Sequence, residues 1–164
     1  MIVGVLINPS ARSVASQLQE LDEAAGTIGL QLVMFRASND AELDAAFSAI
    51  VQQNLGCLLV GSDPYFDTQR GRIIAFALNN RLPTIYQFRE YATAGGLLSY
   101  GVDLTEAYRQ CGVYTAKILK GAKPADLPVQ QVVKFEFVIN LKAAKAIGFE
   151  FPPTFSARAD EVIE

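Results

Sequence analysis

The side chains best suited to chemistry in this sequence are acids, amides and phenols gathered in short polar breaks between apolar runs. Gly61-Ser62-Asp63-Pro64-Tyr65-Phe66 follows an aliphatic stretch, and an acid beside two aromatics can hold an ammonium group against an apolar body. The same Asp63 also suits the cap of a following helix, with Phe66 in the core, and the residues alone leave both readings open. Tyr86, Phe88, Tyr91 and Tyr100 form a second aromatic group, fit either for a stacking pocket or for the core, with Arg89 and Glu90 adjacent in the same loop. Asn8-Pro9-Ser10-Ala11-Arg12-Ser13 stands at a helix start, where free backbone N–H groups favour an anion and where Ser10 and Ser13 also serve as plain caps.

What is absent narrows the chemistry. There is no histidine, which removes the commonest general base and metal ligand. A nucleophile elbow would need Gly-x-Ser-x-Gly, a receiver domain paired acids after the first strand, and a phosphate loop its glycines; none is present. Zinc and iron–sulfur spacings are missing, so no cofactor or metal is expected and no catalytic residue is assigned. An enzyme using Asp63 or Glu90 as general acid/base is a third-ranked reading. Net charge is −3 with no Lys/Arg cluster, which argues against nucleic acid and anionic membranes as partners. Cys57 and Cys111 read as buried thiols rather than a disulfide framework.

These residues need a scaffold, and the apolar pattern supplies one. Ile2–Ile7, Leu32–Phe35, Cys57–Val60 and Pro83–Phe88 read as strands, alternating with helices over Ser13–Gly29, from Ser38-Asn39-Asp40 to Ile50, and over Asp67–Asn80. Buried strands without polar alternation, each followed by a helix, predict an α/β fold with a doubly wound, mostly parallel sheet covered on both faces, in flavodoxin-like order. Ligands in such sheets bind outside the carboxyl ends of the strands, which selects the loops at Asn8–Ser13, Ala37–Asn39, Ser62–Phe66 and Phe88–Tyr91. The second half departs from the pattern: a strand around Leu97–Gly101, a helix over Leu104–Leu119 apolar on much of its circumference, an extended Lys123–Pro128 linker, a strand over Phe135–Ile139, a helix over Leu141–Ile147, and a last helical turn or two within Ser156–Ile163. No internal repeat occurs, and no apolar run reaches the ~18 residues of a membrane span.

Several segments together resemble the ABC transporter substrate-binding family of the type I periplasmic-binding-protein fold. They are Gly61–Phe66, Tyr86–Tyr91, Ala94-Gly95-Gly96-Leu97-Leu98-Ser99-Tyr100-Gly101, Ile118–Val129 with its Lys-Pro-Ala-Asp-Leu-Pro, and Ala157–Ile163. The resemblance implies one lobe of a two-lobed clamp: an α/β ligand-binding lobe over 1–101, a crossover helix and linker over 102–128 belonging to the first lobe, and a returning strand and helical tail over 129–164. It implies a leader and a first lobe that this sequence lacks, a periplasmic location, and an ABC permease as partner of the full-length protein. It further implies binding of a small organic ligand, an amino acid or aromatic acid, by hinge closure without catalysis. The ligand set it implies is Asn8, Ser10, Asp63, Tyr65, Tyr86, Phe88, Glu90, Tyr100 and Asp103. With its partner lobe absent, Leu104–Leu119 is expected to be covered by a homodimer or domain swap. The alternative is a stand-alone cytoplasmic flavodoxin-like sensor or dimerisation domain.

Overall fold

The computed structural model describes residues 1–130 and 134–164; residues 131–133, inside the segment read above as the returning strand, lie outside the described residues. Strands β1 (Ile2–Ile7), β2 (Gln31–Arg36), β3 (Cys57–Val60), β4 (Thr84–Tyr86), β5 (Leu98–Val102), β6 (Phe135–Asn140) and β7 (Glu161–Ile163) form one sheet in the order β2-β1-β3-β4-β5-β6-β7. Pairing is parallel throughout except between β5 and β6. The first five strands therefore have the expected flavodoxin-like order, and β6 and β7 extend it antiparallel to them.

Local signals set the helices α1 (Val14–Ile28), α2 (Asp40–Val51), α3 (Pro64–Thr68), α4 (Arg70–Asn79), α5 (Arg89–Thr93), α6 (Leu104–Leu119), α7 (Leu141–Ile147) and α8 (Pro153–Ser156). Gly29, at φ 67°, closes α1 by returning its N–H to the Ala25 carbonyl. Asn39 caps α2 and Asn140 caps α7 through their side-chain oxygens. The third helix begins earlier than its apolar spacing suggests, because Asp63 caps it and Pro64 suits the first helical position; it then breaks into α3 and α4 at Gln69. The fourth strand is shorter than Pro83–Phe88, since α5 opens directly after Phe88.

The tail also differs from the helical reading. Glu161–Ile163 pairs with β6 because Asp160 binds both ways across it: its backbone N–H donates to the Phe137 carbonyl, and its carboxylate accepts from Phe137 N. Arg89 completes the tie with ion pairs to Glu136 and Glu161, which joins α5 to both added strands.

Cover on the two faces is unequal. On one, Leu6, Phe35, Leu58, Val60 and Tyr86 pack against Leu43, Ile50, Phe66, Ile73, Ile74 and Tyr91 from the helices, and Ala143, Ala144 and Ile147 of α7 add a second cluster with Leu97. On the other, Leu59, Ile85, Leu98 and Phe137 are only half-buried, and Tyr100 and Phe135 are exposed. The expected two-sided burial thus fails over β3–β6, where the α1 side of the sheet holds open cavities of about 340 and 530 Å³. Helix α6 forms where expected and buries no residue; Tyr108 and Leu119 are 74% and 82% exposed. Cys111, on the same helix, is exposed rather than buried for that reason, and Cys57 is half-buried. No helix is long and apolar enough to cross a membrane among the described residues.

One close approach fixes how β5 leaves the sheet. A Cβ at Gly101 would lie 1.8 Å from the Gln87 carbonyl oxygen, so only glycine lets these two segments run side by side. Gly101→Ala is expected to lower stability in urea unfolding by at least ~2 kcal/mol. Gly26→Ala, in α1 with open space around it, should instead raise stability by ~0.5–1 kcal/mol. Equal effects at the two positions would contradict the close-packing explanation.

Candidate functional site

The parallel strands deliver their carboxyl ends to one edge. β1 ends at Ile7 beside Asn8, β3 at Val60 beside Gly61-Ser62-Asp63, β4 at Tyr86 beside Gln87-Phe88, and β5 at Val102 beside Asp103. At this edge Asp63 is only 7% exposed and acts as a hub. One carboxylate oxygen, Oδ1, accepts from Asn8 Nδ2 at 2.9 Å and from Tyr65 N at 2.9 Å. Asn8 in turn accepts from Ser10 N at 2.9 Å. The three loop residues Asn8, Ser10 and Asp63 are therefore joined, and both readings of Asp63 meet in one carboxylate: it caps α3 with the same oxygen that holds the neighbouring loop. No hydrogen bond among the described residues reaches its second oxygen.

Tyr65 joins the group by its backbone, while its hydroxyl donates to Asp40 at the start of α2. Burial first, then that carboxylate, push the Tyr65 phenol up to about 12, so it is a neutral donor across ordinary pH. Phe88 caps α5 by its backbone position and lies half-buried against the main core. Glu90, in the first turn of α5, is half-buried, and its Oε2 is shielded from solvent without a hydrogen-bond partner. Gln87 Oε1 and Ser99 Oγ are in the same condition. An unpartnered buried acceptor is costly, so these groups mark positions where a donor would be gained.

Three expected members are placed elsewhere. Tyr86 is 2% exposed and stacks on Tyr91 with ring centroids 4.7 Å apart. It is a core residue because β4 points it toward the helix-covered face, and burial drives its phenol up. Tyr100 points to the opposite face, stacked on Phe135 at 5.7 Å and edge-on to Phe137. It lines both open cavities there, the smaller of which reaches Gly61 and Ser62. Asp103 caps α6 by accepting from Glu106 N at 3.1 Å and pairs with Lys134 Nζ at 2.8 Å, which makes it a fastener of the segment between β5 and β6.

The structure adds residues with no sequence signal. Gln17, on what reads as the solvent side of α1, donates to the Ser62 carbonyl at 3.3 Å and to Ser13 at 2.7 Å, tying α1 to the β3 loop. Asp67 accepts from both Gln87 and Tyr91. Among the described residues no group of three or more His, Cys, Asp or Glu gathers to hold a metal ion.

The sequence profile of the family described as ABC transporter substrate binding protein matches residues 1–163. The Tyrosine-binding protein of Clostridioides difficile is 24% identical over 148 residues, covering 90% of this chain and 43% of that protein. A solved structure titled as the ABC domain in complex with L-Trp from Streptococcus pneumonia has a TM-score of 0.87 at 24% identity, covering 99% of this chain and 56% of that one. A conserved domain protein from Vibrio cholerae superposes with a TM-score of 0.88 at 27% identity, over 98% of this chain and 54% of that one. The chain thus spans about half the length of the relatives it matches.

The Lys134 ammonium and the α6 backbone hold the Asp103 carboxyl below the usual carboxylate range. A carboxyl lowered on folding stabilises the fold above its unfolded pKa and loses that contribution as pH falls through its folded pKa. Asp103→Asn is therefore expected to lower the urea midpoint at neutral pH, with the gap to the parent closing under strongly acidic conditions. A gap independent of pH would contradict this assignment.

Proposed function

The chain belongs to the ABC transporter substrate-binding protein family, a family of binding proteins and not of enzymes, and on that premise we propose that its carboxyl-edge loops recognise an amino acid with an aromatic side chain. The observation that carries the reading is the hydrogen-bonding of Asp63. Asn8 and Tyr65 occupy one carboxylate oxygen and set its orientation, which leaves the other for an ammonium group. A carboxylate already held by two donors at a strand edge needs little reorganisation on binding, and a charge-assisted hydrogen bond contributes about 1.5–3 kcal/mol.

The remaining roles follow from placement. Ser10 and Ser13 stand ahead of α1, where this reading puts an anionic end of the ligand, while Phe88 and Glu90 open α5 beyond β4. Tyr100, on the open face, lines the cavity that reaches Gly61 and Ser62, and in this reading a flat side chain stacks on it there. Two names support the aromatic class: one relative is called a tyrosine-binding protein, and one similar structure was solved with L-Trp. In this reading the lobe acts with a second lobe that closes over the ligand, outside the cytoplasmic membrane and in the service of an ABC permease. A lobe alone buries only part of a ligand, so its own affinity is weak.

The test is an NMR titration of the uniformly labelled chain, which detects weak binding residue by residue. Millimolar L-tryptophan and L-tyrosine are expected to shift the amides of Asn8, Ser10, Ser62–Tyr65 and Phe88–Glu90, with glucose as a silent control. Asp63→Asn retains an oxygen for Asn8 and Tyr65 but removes the charge, and should weaken binding roughly tenfold or more. Amides unmoved by every amino acid, or shifts that survive Asp63→Asn unchanged, would overturn the assignment.

A further inference from the structure

Among the described residues three buried acceptors have no hydrogen-bond partner, Gln87 Oε1, Glu90 Oε2 and Ser99 Oγ, and their surroundings differ. Ser99 is sealed inside the sheet between its pairs Tyr86 and Val138, and its hydroxyl is free to rotate. The Glu90 carboxylate is oriented by no hydrogen bond. Only Gln87 is both held in one orientation and placed on a cavity that reaches the Gly61-Ser62 loop beside Asp63. We propose that Gln87 is the specificity-determining residue of the carboxyl edge. Its Oε1 accepts the polar ring hydrogen of the ligand, an indole N–H or a phenol O–H, so the lobe prefers tryptophan and tyrosine to phenylalanine. The inference rests on the aromatic amino acid reading above and names the ring that reading leaves open.

The backbone and the amide of Gln87 are each fixed by a separate contact. β4 ends at Tyr86, and the Gln87 carbonyl lies so close to Gly101 of β5 that no side chain fits between them. From that anchored backbone, Gln87 Nε2 donates to Asp67 Oδ1 at 3.2 Å. An ionised carboxylate has no proton to give, so the opposite setting of the amide would press two acceptor oxygens together. The amide therefore has one stable orientation. Its nitrogen goes to Asp67, and its oxygen is left over.

Asp67 is held in turn. The same oxygen accepts from the Tyr91 hydroxyl at 3.0 Å, and the buried Tyr91 ring is stacked on Tyr86 with the Arg70 guanidinium 5.7 Å from its centre. Burial, then the Asp67 charge, push the Tyr91 phenol far up, so its hydroxyl stays a donor. Asp67 and Tyr91 are thus positioning residues, which act on the ligand by aiming Gln87. The lock is also tied to the ammonium site. Asp67 N donates to the Asp63 carbonyl at 3.2 Å, one turn along α3. One turn is about 5.4 Å of rise, so a single short helix carries both the acceptor for the amino group and the group that orients the acceptor for the ring.

Burial decides what this acceptor selects. Gln87 Oε1 is shielded from solvent, so bulk water does not compensate its lone pairs in the free lobe. The residue as a whole is half-buried and lines the cavity, so an incoming ring meets it from that side. A ring that brings a polar hydrogen satisfies the oxygen, whereas a benzyl ring packed against it leaves it unpaired. Discrimination of this kind comes as much from the group left unpaired by the wrong ligand as from the bond made to the right one. Because both the backbone and the amide are already fixed, little reorganisation opposes the bond.

The readout is a ratio of affinities, taken by NMR titration of the parent chain and of Gln87→Met, which keeps the length of the side chain without its amide. The parent is expected to bind L-tyrosine about fivefold or more tighter than L-phenylalanine, and L-tryptophan tighter by a similar factor than its analogue methylated at the indole nitrogen. In Gln87→Met both ratios should fall to parity, with phenylalanine bound no more weakly than by the parent. Asp67→Ala should lower the same ratios with Gln87 intact, whereas a merely structural loss weakens all four ligands together. One measurement needs no variant: the side-chain amide signals of Gln87 in the parent should shift with tyrosine and stay in place with phenylalanine. Equal affinities in the parent, an amide that responds alike to both ligands, or ratios unchanged by Gln87→Met or by Asp67→Ala would overturn the proposal. Each of those results leaves the Asp63 reading standing, since all four ligands carry the ammonium group. Binding of none of the four would overturn both.

Discussion

Parallel, in-register pairing of β1, β3, β4 and β5 is the constraint on which the rest of this molecule depends. Val3–Leu6 of β1 run beside Cys57–Val60 of β3, and Leu58–Leu59 beside Thr84–Ile85 of β4, so β1, β3 and β4 finish at nearly the same level, while β5 continues past the end of β4 to Val102. Polar loops far apart in sequence then meet without any long excursion. Asp63 converts this proximity into a defined arrangement, since a single oxygen of it both caps α3 and holds Asn8. Removing that carboxylate would free two donors at once, which is why a buried acid is tolerated at a sheet edge.

The same sheet is buried on one side more fully than on the other. The helices after β2, β3 and β4, with α7, all contribute to one face, where Phe66, Ile73, Tyr86 and Tyr91 are essentially sealed from water. On the opposite face α1 packs toward β2, and Phe155 of α8 stands against Phe137 at the other side. A doubly wound chain that turned back after β5 would lay its next helix across β3–β5. Here the chain instead projects α6 from the edge and comes back as the antiparallel β6. The open cavities and the unburied helix are two consequences of that one change of direction.

Much of this was legible in sequence, and the failures have physical causes. Aliphatic runs such as Ile2–Ile7 and Cys57–Val60, each followed by a polar loop, are legible as strands of a parallel sheet, although two-sided burial holds for β1 and not for β3, where Cys57 and Leu59 are half-buried. Asn8, Ser10 and Asp63 were legible as an edge cluster for the same reason. The facing of Tyr86 and Tyr100 was not: they lie on neighbouring strands, and a difference of one residue in register sends one ring to the core and the other to the open face. β7 was hidden as well, since Asp160 and Glu161 earn their extended conformation from partners at Phe137 and Arg89 distant in the chain. Gln17 gave no signal because a glutamine on a helix reads as solvated wherever its amide points.

A crystal structure of the chain grown with saturating L-tryptophan bears most directly on where recognition occurs. The predicted result is ligand density at the carboxyl edge, with its ammonium against the free oxygen of Asp63 and its indole toward Phe88 or Tyr100. Density confined to the amino edge of the sheet, or an Asp63 carboxylate still without a ligand contact while the ligand is ordered elsewhere, would contradict it.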